Sequence, residues 1–250
     1  MRLPRLKLAL ATLAVPVLAA AQSTTPGTSA AVTVTASRAV GELPYRYFIE
    51  MQHHLERYLP PGPRLVDLWF RVGAPGMSEA ERDVHQPQGW AIAVRSRSVD
   101  FTVPLRRGAY FSLPEIQDAY DERGEIVVNG TYRPWLSIWW SLRVPESRRM
   151  AWADILAARA QIKVVQRRIS AFAAQLQHTR RSPYDGIKAC FLDGGGAILV
   201  DGVALADAVE GDCKVLFLDR DGPARGEVVE FAGQLHIVSF VDRRYYNERN

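Results

Sequence analysis

Between Ser147 and His178 the apolar residues Ala151, Ile155, Ala158, Ile162, Val165, Ile169, Phe172 and Leu176 alternate steps of four and three, with no glycine or proline to interrupt them. That spacing places one apolar stripe along a single helix, in heptad register for over three repeats and about 45 Å long at ~1.5 Å per residue. Ser147 is its expected N-cap, and Pro183 follows its end. Little else in the chain reads this way: the flanking sequence is mostly short apolar runs between turn signals. The expected fold class is therefore α+β, mainly β: an antiparallel β-sandwich-like domain, the long amphipathic helix, and a small C-terminal disulfide-bridged β unit.

Before the helix, Phe48, Met51, Leu55 and Tyr58 recur at helical spacing from Tyr45 to Leu59, and Pro60, Pro61 and Pro63 end that pattern. Strands are expected at Arg64–Val72, Trp90–Arg95, Val99–Leu105, Ala109–Leu113, Glu125–Asn129 and Trp135–Val144, with Gly73–Gly89 read as a long loop. Arg107-Gly108 and Asn129-Gly130 mark turns suited to positive φ. After the helix come the runs Ala189–Asp193, Ala197–Val200, Lys214–Asp219, Glu227–Phe231 and Leu235–Val241, and the polar Arg243–Asn250 is expected to fray.

The amino terminus has a basic start, an apolar run from Leu8 to Leu18, and Ala19 and Ala21 flanking Ala20, the pattern of a secretory signal cleaved near Ala21-Gln22. The run is too short for a membrane helix, which needs ~20 apolar residues, and no later segment qualifies. Residues 1–21 are thus expected to be a signal peptide and 22–41 a flexible linker, in which Val32 and Val34 could form an edge strand. Residues 42–145 then form the β-sandwich-like domain with its N-terminal helix, 146–182 the basic helix and 183–250 the C-terminal β unit. Arg2, Arg5 and Lys7 leave with the signal, so the whole-chain charge of +4 falls to 28 basic against 27 acidic groups. That balance excludes global steering of polyanions, and with no base-reading motif it excludes nucleic acid as a partner. Periplasmic residence follows as the expectation. In such a compartment the two cysteines, Cys190 and Cys213, are expected to pair with each other, a bridge worth roughly 3 kcal/mol for a loop of about 20 residues.

The stretch Val103-Pro104-Leu105-Arg106-Arg107-Gly108-Ala109-Tyr110-Phe111-Ser112-Leu113-Pro114 resembles the turn-and-strand signature of prealbumin-like, or carboxypeptidase-regulatory-like, β-sandwich modules. With the strand end Val127-Val128-Asn129 it also resembles a group of uncharacterised exported bacterial proteins. The resemblance implies an accessory or interaction module and assigns no catalytic residue.

No constellation of catalytic or metal-ligating residues assembles from the sequence. Val215–Gly222 looks like the strand and Asp-x-Asp-Gly of haloacid-dehalogenase phosphatases, but only 28 residues follow Gly222 and Pro223 stands where Thr or Val is usual. His53, His54, His85, His178 and His236 lack zinc-ligand spacing, and there is no Gly-x-Ser-x-Gly or Walker loop. No catalytic residue, metal or cofactor is expected.

Two surfaces remain. Arg143 to Arg181 carries nine basic residues against Glu146 and Asp154, and Arg159, Lys163, Arg167 and Arg168 form an expected partner-binding face for an acidic protein, glycan or lipid. Along the strand Trp135–Val144, Trp135, Trp139 and Arg143 share one face that could stack on a sugar or peptide, unless the tryptophans pack under the long helix. The leading expectation is a non-enzymatic interaction protein of the cell envelope, whose partner is an envelope protein or a glycan. A glycan-binding accessory protein using the aromatic face is the first alternative. An envelope hydrolase, whose carboxylates would meet only in the fold, is the second.

Overall fold

The computed structural model describes residues 43–73, 76–85, 90–129, 135–168, 182–218 and 228–247. The expected signal peptide, linker and edge strand at Val32 and Val34 lie outside them. The described chain is mainly β, and every strand pair is antiparallel.

Strand β1 (Leu43–Pro44) runs into helix α1 (Tyr45–Arg57), whose buried residues Tyr45, Phe48, Ile49, Met51 and Leu55 include three of the four read from its periodicity. Strand β2 (Val66–Gly73) follows the prolines. The expected loop 73–89 contains a six-residue helix, α2 (Glu79–Val84), because Ser78 and Glu81 form a reciprocal capping box that satisfies its first amides. Then come β3 (Ile92–Arg95), β4 (Asp100–Val103), a 3₁₀ turn at Arg107–Ala109, β5 (Tyr110–Phe111), the short α3 (Gln117–Asp121), β6 (Glu125–Val128) and β7 (Trp135–Leu142).

Ser147 does not cap the central helix. Arg149–Ala151 forms strand β8, and helix α4 begins at Trp152 and runs to Arg168; residues 169–181 lie outside the described set. The reason is tertiary: Met150 and Arg149 pair with Val229 and Glu230 of β14 (Val228–Ala232), and sheet pairing takes the turn that local propensity assigned to the helix. Within α4 the expected stripe holds, since Ile155, Ala158, Ile162 and Val165 are fully buried.

The remaining strands are β9 (Gly186–Phe191), β10 (Ala197–Val200), β11 (Val203–Ala204), β12 (Ala208–Glu210), β13 (Cys213–Phe217) and β15 (Leu235–Val241). A last helical turn, α5 (Arg244–Asn247), stands where fraying is expected, because the Asp242 carboxylate accepts from the Arg244 amide and guanidinium, and the Tyr246 ring packs on Phe217.

Two sheets have four strands, ordered β1-β6-β3-β4 and β11-β10-β14-β8. The third has seven, ordered β12-β13-β9-β15-β7-β2-β5, so strands from both sides of α4 interleave in it. The expected division into a 42–145 domain and a separate 183–250 unit is therefore not how the strands are shared. Residues from all three sheets, α1 and α4 also contribute to one apolar core. Cys190 and Cys213 are directly opposed in the β9–β13 register and joined as the expected disulfide.

Candidate functional site

Strand alternation divides the seven-stranded sheet into two faces. Phe70 and Leu68 of β2, Ile138 and Trp140 of β7, Val238 and Phe240 of β15, and Ile187 and Ala189 of β9 point into the main core. The opposite face carries Trp69 and Arg71, Ser137, Trp139 and Ser141, Ile237 and Ser239, Lys188 and Cys190, Cys213, and Glu210. This face is also buried, under α2 and the turn before β5, and it is where the charges are.

Arg71 and Lys188 are each only 1% exposed. Helix α2 brings two carboxylates, one turn apart, onto them. Arg71 donates to Glu79 Oε1 at 2.6 Å and to Asp83 Oδ1 at 3.0 Å, while Lys188 Nζ lies 2.5 Å from Asp83 Oδ2 and 3.3 Å from Glu79 Oε1. Glu210 of β12 adds a third carboxylate 3.7 Å from Lys188, and it accepts from the Tyr246 hydroxyl. The Arg71 Nε donates to the Gly108 carbonyl, and its guanidinium lies over the Tyr110 ring, 4.7 Å from the centroid.

The electrostatics follow from enclosure. Burial by itself would lower Lys188, but Asp83 and Glu79 outweigh it and hold the ammonium far above its ordinary range. Burial would likewise raise Glu79, yet Lys188, Arg71 and Arg82 hold its carboxyl down to about 2. Asp83 goes the other way: its own burial outweighs both cations and lifts it above the usual carboxylate range. The Tyr110 phenol, pushed up to about 12 by burial, stays neutral.

Trp139 closes one side of the cluster. Its half-buried ring is 5.5 Å from the Arg71 guanidinium and 5.9 Å from the Lys188 ammonium, edge-on to Tyr110, with its indole N–H donating to Ser137. The expectation that Trp139 packs under the long helix is thus corrected. Trp140, the next residue, takes the core side, because a strand turns successive side chains to opposite faces. Trp135 pairs with Gly73 at the strand's end, and Arg143 is held by Asp67 at 2.5 Å. Trp139 and Arg143, two of the three residues expected to form a stacking platform, therefore do different things, and the Trp135 side chain lies outside the described set.

The four helix cations also separate. Arg159 donates to the Pro183 carbonyl and Lys163 to the Ser182 carbonyl at 2.7 Å, so both tie α4 to the chain entering β9. Burial lowers Lys163 below its ordinary range. Arg167 and Arg168 are exposed. On the described helix the remaining outward positions are mostly small or apolar: Ala153, Leu156, Ala157 and Ala160.

Sequence reading missed the buried cluster, although a signal for it exists. Arg71 and Lys188 each interrupt an apolar strand, as Phe70-Arg71-Val72 and Ile187-Lys188-Ala189, and Ser78-x-x-Glu81 is a readable cap. Asp83 also lies near both disulfide sulfurs, but these are bonded to each other. A different surface is open: the segment 201–209 is almost wholly exposed and carries Val203 (61%), Leu205 (36%) and Val209 (62%), with β11 and β12 ending two different sheets. Among the described residues no helix is long and apolar enough to cross a membrane. Compared with known proteins, the chain matches no family model, no curated protein and no solved structure.

Proposed function

We propose that this protein is a non-enzymatic interaction protein of the bacterial envelope, exported to the periplasm, with a β-sandwich-like body and a long amphipathic helix that begins at Trp152. The observation that carries the reading is a division of labour between surfaces. The assembled ionisable groups Arg71, Lys188, Asp83 and Glu210 are sealed beneath α2, where a substrate has no access, whereas exposed apolar side chains gather on the 201–209 segment. Edge strands with unpaired backbone groups and outward apolar side chains suit an added strand from a partner protein. The exposed Arg167 and Arg168 supply positive charge for an acidic partner.

Purification of the tagged protein from cross-linked envelopes, with mass spectrometry and sugar analysis of one eluate, tests this. The expected result is an enriched protein partner that is lost in a Val203→Lys, Val209→Lys variant or in an Arg167→Glu, Arg168→Glu variant. Glycan enrichment without protein would overturn it in favour of a saccharide ligand, and no enrichment of either would remove the interaction reading altogether.

A further inference from the structure

The buried cluster has more order than a salt bridge needs. Lys188 Nζ lies against one oxygen of Asp83, at 2.5 Å, while the other oxygen accepts from Arg71 at 3.0 Å. The Glu79 carboxylate touches both cations, 2.6 Å from Arg71 and 3.3 Å from Lys188. A nucleophile, a carboxyl carbon, a base and a cation over the second carboxyl oxygen are thus placed together, in a space closed by Trp139, Tyr110 and α2.

We propose that Lys188 and Asp83 condense to an intramolecular amide, a self-formed cross-link between β9 and α2. Arg82 pairs with the outer oxygen of Glu79 at 3.0 Å, so three carboxylates, Glu79, Asp83 and Glu210, face three cations and the cluster is balanced without a proton from outside. Across the 2.5 Å contact Asp83 Oδ2 takes a proton from Lys188, and burial already raises the affinity of Asp83 for it. The freed lone pair attacks Cγ of Asp83, and Glu79, 3.3 Å from the nitrogen, accepts the second proton that the nitrogen sheds. Negative charge develops on Oδ1, where the Arg71 guanidinium stabilises it, as donors do for other tetrahedral acyl intermediates. The proton held by Glu79 passes to Oδ2, which departs as water. One C–N bond forms, one C–O bond breaks, and nothing is oxidised or reduced.

Two physical factors favour the product. Reacting atoms fixed in contact act at effective molarities of about 10⁵–10⁸ M, which offsets the intrinsic slowness of amide formation. The product also replaces a buried ammonium and a buried carboxylate with a neutral amide, in a place that excludes the water needed for hydrolysis.

The intact mass of the full chain, purified after export and fully reduced, decides the matter. The expected mass is lower by one water than the processed sequence requires. Digestion should yield a branched peptide joining the Asp83 and Lys188 segments, with no cleavage by trypsin after Lys188. A wild-type mass with no water missing overturns the proposal, and so does a missing water located elsewhere, such as at an Asp-Gly pair. Asp83→Ala is expected to restore the full mass. Glu79→Gln keeps nucleophile and electrophile and tests the base: a mixture of cross-linked and open chains is expected, and full cross-linking would overturn the role given to Glu79. The wild-type measurement stands even if neither variant folds.

Discussion

Arg71 and Lys188 leave strands with two others between them, yet both reach the same oxygen, Oε1 of Glu79, at 2.6 and 3.3 Å. Each cation has a short neighbour across its ladder, Ser137 of β7 opposite Arg71 and Ser239 of β15 opposite Lys188, and the Trp139 ring lies against both. Short side chains there leave room for two long cations to converge under α2.

Removing one cation from this cluster should be costly. Arg71→Met takes from Glu79 and Asp83 the guanidinium that bonds them both in a buried site, and the expected loss is about 3–5 kcal/mol, measured by urea unfolding. A loss below about 1 kcal/mol would mean that the site is wetter than its burial indicates.

Gly108 has φ +73, and a Cβ there would meet the Tyr110 ring at 2.9 Å and the Asp83 carbonyl at 3.2 Å. Gly108→Ala should therefore cost about 1–3 kcal/mol from backbone strain and from displacement of the acceptor that Arg71 uses. An unchanged thermal midpoint would contradict the tight approach of the 3₁₀ turn to α2.

Acid should weaken the fold through Glu79. Its carboxyl is held at about 2 in the folded chain against an ordinary 4.5, so its contribution is complete above about pH 4.5 and is lost as pH falls towards 2. An Asp83 not joined to Lys188 has the opposite sign, because burial raises it and its protonation favours the folded state. Urea midpoints measured down the pH scale should fall less steeply below pH 4.5 in Glu79→Gln than in the wild type. Equal slopes would place the acid sensitivity elsewhere.

Both sulfurs of the Cys190–Cys213 bridge are buried, so native protein should resist dithiothreitol until urea opens it. A Cys190→Ser, Cys213→Ser variant should lose about 2–4 kcal/mol. Thiol titration with and without denaturant checks the first expectation, and rapid reduction of the native protein would refute it.

The helix cations should differ in effect. Arg159→Glu removes a donor to the Pro183 carbonyl and should cost about 1–2 kcal/mol, whereas Arg168→Glu, on an exposed side chain, should stay within about 0.5 kcal/mol. Equal losses from the two would mean that Arg159 does not anchor the chain entering β9.

Local chemistry was enough to read much of this protein from its sequence. The 3.6-residue periods of α1 and α4, the alternation along β2 and β7, the run Leu235–Val241 and the Cys190–Cys213 pair all report interactions between near neighbours or a count of two cysteines. The capping box at Ser78 and Glu81 was equally local and was passed over inside what read as a loop. Other features depended on distant partners. Strand β8 exists because β14, about 80 residues later, supplies hydrogen bonds that outweigh the propensity of residues 149–151 for helix. The interleaving of β9, β15, β7 and β2 joins stretches that composition separates. The buried cluster is the clearest case: Arg71, Glu79, Asp83, Lys188 and Glu210 are up to 139 positions apart, and each looks like an ordinary charged residue until burial removes water and makes the others its only partners.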